Sequence, residues 1–125
     1  MTMVRNPSQS DENLNRASIL ERLEGNQELL TELIQLFLGE APLLIEAMRT
    51  ALQKGDMREL GRSAHSMKGA ASNFMAHSTA GAASQLEDDA KRGDTESARN
   101  ALAALEVIVE RLLTELENLC QGSPE

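Results

Sequence analysis

The hydrophobic residues of this chain recur at intervals of three and four, which is the spacing of one face of an α-helix. A short first segment, Asn15 to Glu24, carries its apolar residues on one face and stops at Gly25, a residue typical of helix C-termini. Asn26 can then cap a second, longer helix. The predicted buried positions of this second helix are Leu30, Ile34, Phe37, Ala41, Leu44, Met48 and Leu52.

Pro42 lies within the apolar stripe of the second helix. Proline has no N–H to donate to the carbonyl four residues earlier, and its ring crowds the preceding turn. We therefore expect the second helix to kink or break between Gly39 and Pro42, while its apolar stripe continues beyond that point.

Three further helices are indicated by the rest of the chain. The boundary residues are Gly55 at the end of the second helix, Asp56 as the cap of the third, Arg92 and Gly93 at the end of the fourth, and Asp94 or Thr95 as the cap of the fifth. Residues 69–83 are rich in Ala, Gly and Ser, so two antiparallel helices can approach closely around a turn near residues 73–78. The predicted buried positions are Leu60, Ala64, Met67, Ala71 and Phe74 in the third helix, and Ala98, Leu102, Leu105, Ile108, Leu112, Leu116 and Leu119 in the fifth.

Four long amphipathic helices with short connections most economically form an antiparallel four-helix bundle, with the short first helix covering one end. The composition favours this all-α fold, because aromatic residues make up only 2% of the chain and strong helix formers dominate. A length of 125 residues is about one domain. We predict a bundle over residues 15–121, with polar tails at 1–14 and 122–125.

The charge of the chain disfavours several classes of partner. Twenty acidic and twelve basic residues give a net charge of −8, which repels nucleic acids and anionic membrane surfaces. The longest apolar runs, such as 41–45, are far shorter than the roughly 20 residues of a membrane-spanning helix. The N-terminus lacks the apolar region of a secretory signal, and the single cysteine, Cys120, cannot form an internal disulfide. We therefore expect a cytoplasmic protein.

The two histidines are the first place to look for chemistry. Arg62 and Phe74, not glutamate, stand three residues before His65 and His77, so the pattern of a di-iron bundle is absent. One cysteine and two unmatched histidines do not supply a closed zinc site, and no glycine-rich phosphate loop is present. We interpret His77 as a solvent-facing loop residue.

His65 has an unusual setting on the third helix. It lies about 100° around the helix from Ala64, toward the edge of the buried stripe or the solvent. Gly61 and Gly69 stand one turn before and after it, where they leave the imidazole ring uncovered. Lys68 lies one turn after His65, and its ammonium can neutralise an anion attached to the ring.

The segment around His65 is also the only locally basic one, with three basic and two acidic residues between positions 56 and 72. An exposed imidazole beside a fixed positive charge is suited to accept a phosphoryl group and hold it as phosphohistidine.

The run from Ala64 to Phe74, Ala-His-Ser-Met-Lys-Gly-Ala-Ala-Ser-Asn-Phe, resembles the His-x-x-Lys-Gly signature of histidine-containing phosphotransfer (HPt) domains. These domains are the relay modules of multistep two-component signalling, and the resemblance extends over about residues 23–119. It implies that His65 is the phosphorylated residue, that Lys68 steadies the phosphoryl oxygens, and that Gly69 keeps the approach clear.

Glu87 matches the family position whose side chain reaches the histidine ring from the next helix. A carboxylate that accepts the Nδ1 proton would leave Nε2 with its lone pair outward. Because Asp88 and Asp89 follow, a solvated acidic face is the alternative interpretation of Glu87. The sequence departs from the family at Met75, where many members have glycine, which leaves the conformation of this turn open.

The resemblance implies a phosphocarrier, not an autonomous enzyme. It would accept a phosphoryl group from the aspartate of one receiver domain and pass it to another. The receiver domains would be its partners and would hold the Mg²⁺, so no cofactor of its own is expected, and a monomer is predicted. Docking is expected on the His65 face of the third helix with neighbouring residues of the second. A helical interaction scaffold that does not carry phosphate is the alternative, and a metal-dependent hydrolase would need ligands that the sequence lacks.

Overall fold

The computed structural model describes residues 14–120, and within them the chain forms five α-helices and no β-strand. The helices are α1 (Arg16–Arg22), α2 (Gln27–Lys54), α3 (Met57–Ser72), α4 (His77–Arg92) and α5 (Thr95–Cys120). The all-α prediction is confirmed. The predicted tails lie outside the described residues except for residue 14. None of the five helices combines the length and the apolar character needed to cross a membrane.

The four long helices pack in a ring, in which α3 lies between α2 and α4, and α5 lies between α4 and α2. The short connections make neighbouring helices antiparallel, as the sequence predicted. Helix α1 packs on α2. The guanidinium of Arg22 donates a hydrogen bond to the carbonyl of Ser72 at 3.2 Å, which attaches α1 to the end of the bundle where α3 finishes.

Four of the five helices begin at a side-chain cap. In each, a side-chain oxygen accepts a hydrogen bond from the backbone N–H three residues further on and satisfies a donor that lacks a helical partner. The pairs are Asn15 with Ser18, Asn26 with Leu29, Asp56 with Glu59, and Asp94 with Ser97. The predicted caps Asn26 and Asp56 are therefore confirmed, and Asp94, not Thr95, supplies the side-chain cap of α5. Helix α1 ends at Arg22, two residues earlier than predicted.

Of the kink or break expected between Gly39 and Pro42, the break is wrong, because α2 continues as one helix from Gln27 to Lys54. Pro42 lies on the exposed side of α2, where water can satisfy the carbonyl of Leu38 that loses its N–H partner. Ala41 and Ile45 on either side of it are buried in the core, so packing stabilises the helix both before and after the proline.

The core lies between the four long helices and contains almost every predicted position. All five positions of the third helix are buried. The differences are shifts of one residue: Leu44, Leu52 and Ile108 are half-buried, and Ile45, Ala51 and Val109 take the core positions. Leu119 is also half-buried. Leu44, Leu52 and Leu119 lie at the margins of the buried stripe. Each long helix has a neighbouring helix on both sides, and these neighbours partly cover the flanks of the stripe as well as its centre.

The turn between α3 and α4 is anchored by two aromatic rings. Phe74 is buried and meets Phe37 of α2 edge to face, with ring centroids 5.6 Å apart. The next residue, Met75, has a φ of 56°, a left-handed conformation that costs a side-chain-bearing residue about 1 kcal/mol. Met75 packs against the core, which offsets this cost. Methionine therefore occupies a position of this turn at which glycine would be less strained.

Candidate functional site

His65 lies in the middle of α3, on the side that faces away from the core. Its neighbours Ala64 and Met67 are fully buried, and their burial fixes the rotation of the helix about its axis. The side chain of His65 is 66% exposed. The prediction that the ring lies toward the edge of the buried stripe or the solvent is therefore confirmed, on the solvent side.

Glu87 of α4 reaches the ring of His65 across the gap between the two helices. Its Oε2 lies 3.1 Å from Nδ1 of the histidine, within hydrogen-bond distance. A carboxylate can only accept, so this bond requires the proton on Nδ1 and leaves the lone pair on Nε2. The arrangement fixes the orientation of the ring and presents Nε2 as the free nucleophilic nitrogen.

Two lysines share the carboxylate of Glu87 with His65. The Nζ of Lys68 lies 3.2 Å from Oε1, and the Nζ of Lys91 lies 3.8 Å from Oε2. Lys68 is half-buried, whereas Lys91 is exposed. The ammonium of Lys68 therefore forms an ion pair with Glu87, one helical turn from His65. The sequence predicted that this ammonium would neutralise an anion on the His65 ring.

The Glu87 carboxylate stays ionised in this setting although its side chain is only 13% exposed. Its partial burial on its own would raise the pKa of Glu87. The hydrogen bond and the charge of Lys68, followed by the charge and hydrogen bond of His65, outweigh burial and lower the pKa below its usual value. A fixed negative charge therefore faces Nδ1, and a positive charge on the ring would be stabilised there.

The two glycines that flank His65 have different surroundings. A Cβ at Gly69 would meet nothing within 4 Å, so this turn of α3 is open on its outer side. A Cβ at Gly61 would lie 3.5 Å from the Cβ of Ala90 on α4, an ordinary packing distance. Gly69 therefore leaves room for an approaching surface, while Gly61 also allows the close contact between α3 and α4.

A groove of about 590 Å³ runs from His65 along the boundary of α3 and α4. Met57, Gly61 and Ala90 supply its apolar part. The charged residues that line it together with Glu87 are Arg58, Arg62 and Lys91.

The other helix beside α3 carries exposed leucines. On α2, Leu36 is 66% exposed and Leu43 is 71% exposed, a high fraction for large apolar side chains. Leu43 lines a groove with Glu59 of α3 and so lies on the α3 side of α2.

The remaining candidates lie apart from this site. His77 is exposed as predicted, but it is the first residue of α4 and not part of a loop. Cys120, at the end of α5, accepts a hydrogen bond from the amide of Gln35. In the part of the chain that the structure describes, no cluster of His, Cys, Asp and Glu has the arrangement of a metal site.

Sequence reasoning brought His65, Lys68, Gly69 and Glu87 into consideration and missed Lys91. The four-residue spacing of Glu87 and Lys91 on one helix is a signal that could have found this ion pair. The solvated acidic face proposed as the alternative for residues 87–89 does not form, because Asp89 is buried and Glu87 turns toward His65.

The chain is similar to known proteins in sequence and in structure. A family model described as "Hpt domain" matches residues 32–122. Among solved structures, the chain is similar to histidine-containing phosphotransfer protein B (HptB) from Pseudomonas aeruginosa PAO1, at 25% sequence identity and a TM-score of 0.81. That match covers 89% of this chain and 96% of the other. No curated protein matches the sequence.

Proposed function

This chain belongs to the Hpt domain family, and from that membership we propose that it carries a phosphoryl group on His65 between the aspartates of two receiver domains. The observation that supports this proposal most directly is the hydrogen bond of Nδ1 to Glu87, which leaves Nε2 of an exposed ring as the acceptor nitrogen. The expected cytoplasmic location and monomeric state remain predictions.

The transfer follows from the groups around the ring. The lone pair of Nε2 attacks the phosphorus of the receiver's aspartyl phosphate and forms a P–N bond. The P–O bond to the aspartate breaks, and its electrons return to the receiver's carboxylate. The ring becomes positively charged. Glu87 keeps accepting the hydrogen bond from Nδ1–H, and its negative charge stabilises the charged, phosphorylated ring. Transfer to a second receiver is the reverse reaction.

We assign to this chain the role of a carrier and not of an autonomous enzyme. It supplies a positioned nucleophile and a fixed counter-charge, and the receiver is proposed to hold the Mg²⁺ of the reaction. Lys68, which now bonds Glu87, is one turn from His65 and can turn toward the phosphoryl oxygens.

The test is phosphoryl transfer from receiver domains of the same genome. Each receiver is phosphorylated with a labelled small-molecule donor, freed of that donor and mixed with this protein. The proposal expects label on this protein that is labile in acid and stable in base, as for a phosphohistidine. A complete panel of phosphorylated receivers that leaves the protein unlabelled would contradict it and favour the interaction scaffold.

Replacement of Lys68 by alanine is expected to shorten the lifetime of the phosphohistidine and slow transfer by about tenfold, the worth of one charge-assisted hydrogen bond. The fold should persist, because alanine favours helix. The decay of label on the purified phosphoprotein measures the lifetime directly. Lys68→Arg, which keeps the charge, is the control and should retain most of the phosphohistidine lifetime. Equal lifetimes for Lys68→Ala and the unmodified protein would show that Lys68 has no role in the site.

We also propose that the exposed leucines of α2 contact the receiver beside His65. Leu43→Glu should slow transfer about tenfold, because it puts a charge into an apolar contact near the centre of the interface. The matched control is Val107→Glu, since Val107 is half exposed but lies on the groove between α2 and α5. Second-order transfer rates measured with the same receiver distinguish the two. Equal rates for both variants would place the docking surface elsewhere.

A further inference from the structure

The groove between α3 and α4 has a charge opposite to that of the whole protein. Three cationic side chains, Arg58, Arg62 and Lys91, line it with one anionic side chain, Glu87. The carboxylate of Glu87 is shared by His65, Lys68 and Lys91, and Arg62 pairs with Glu59 of the same helix at 3.6 Å. The chain as a whole carries a net charge of −8. A negatively charged partner is therefore repelled by most of the surface and attracted here.

The groove also has an apolar part, which a small anion would not use. The floor of the groove, between the charged side chains, is formed by Met57, Gly61 and Ala90. Met57 and Gly61 are half-buried and Ala90 is buried, so this floor is uncharged and partly shielded from water. The matching occupant carries an apolar side chain flanked by carboxylates. Because the groove begins at His65, a protein that brings an aspartyl phosphate to Nε2 comes to lie over it.

We infer that this groove is a docking subsite for an acidic, partly apolar surface segment of the receiver domain, and that its cations select among receivers. The inference rests on the proposed phosphotransfer function and adds a second contact surface, on the α4 side of His65, to the one proposed on α2. Arg58 and Arg62 are specificity residues in this view, since they line the groove two turns and one turn before His65 on α3, and Arg62 pairs with Glu59, not with Glu87.

The test compares charge reversals inside and outside the groove. Arg58→Glu and the double variant Arg58→Glu/Arg62→Glu change the groove, and Arg99→Glu makes the same change at an exposed residue of α5 that does not line it. For one receiver that labels the unmodified protein, we expect the double variant to lower the second-order transfer rate about tenfold at low salt. The difference should shrink as salt is added, because screening weakens surface charge pairs. Arg99→Glu should transfer at nearly the normal rate.

Two further measurements separate docking from chemistry and from failure to fold. The lifetime of the isolated phosphohistidine should not change in the groove variants, and circular dichroism should show the same helix content. Amide shifts on titration with the unphosphorylated receiver should include the α4 side of the groove.

The possible outcomes distinguish this inference from the proposed function. If the unmodified protein takes label and the groove variants transfer like Arg99→Glu, the docking subsite is wrong and phosphotransfer stands. The same conclusion follows if the amide shifts are confined to α2. If no receiver labels the unmodified protein, phosphotransfer fails and the docking inference fails with it.

Discussion

His65→Gln should abolish phosphoryl acceptance completely, whereas His77→Gln should leave it unchanged. Glutamine keeps a polar side chain on the exposed face of α3 but has no ring nitrogen with a free lone pair, so no P–N bond can form. His77 is also exposed, but it is the first residue of α4 and stands ten residues before Glu87 on that helix. The measurement is labelling by a phosphorylated receiver at equal protein concentration.

The two histidines make this pair of variants a matched control. Both substitutions remove one imidazole from an exposed helical position, and neither touches the core, so the free energy of unfolding should change by no more than about 0.5 kcal/mol. Label that persists in His65→Gln and disappears in His77→Gln would move the acceptor to α4. Label that persists in both would show that the phosphoryl group is not on histidine.

Phe74→Ala should lower the free energy of unfolding by about 3–5 kcal/mol, the usual range for the loss of a buried aromatic side chain. The ring is buried and meets Phe37 edge to face, so its removal leaves a cavity between α2 and the turn that leads into α4. Urea denaturation followed by circular dichroism measures the loss, since the chain has no Trp or Tyr to report by fluorescence.

Phe74→Leu is the control for this effect. Leucine refills most of the volume, and the loss should fall to about 1–2 kcal/mol. A loss below about 1 kcal/mol in Phe74→Ala would contradict the packing described for this turn. Because α4 carries Glu87, a loosened turn should also weaken the hydrogen bond to His65 before the bundle unfolds.

The helical periodicity carried most of the information about the fold. Apolar spacing and capping residues predicted all five helices, because each helix must bury one stripe and satisfy its first N–H groups. Pro42 was misjudged because the local cost of a proline is visible in the sequence, while the packing of Ala41 and Ile45 that keeps α2 continuous is not. The shifts from Leu44 to Ile45 and from Ile108 to Val109 have a similar cause. The choice between adjacent apolar residues depends on the neighbouring helix.

The candidate site could be predicted only as far as it lies on one helix. The spacing of His65, Lys68 and Gly69 is a property of α3 alone. The bond from Glu87 links residues of different helices, and the sequence reached it only through the family resemblance. The basic groove was not predicted, because Arg58 and Lys91 come together only when α3 packs on α4.

The hydrogen bond between His65 and Glu87 crosses from one helix to another, and this has a consequence for the signature motif. A peptide with the sequence of α3 would contain the whole His-x-x-Lys-Gly motif. Without Glu87, however, nothing would fix the tautomer of its histidine ring. Competence to take phosphate is therefore a property of the assembled bundle. Any event that separates α3 from α4 would therefore be expected to stop the proposed phosphoryl transfer, although the motif itself stayed intact.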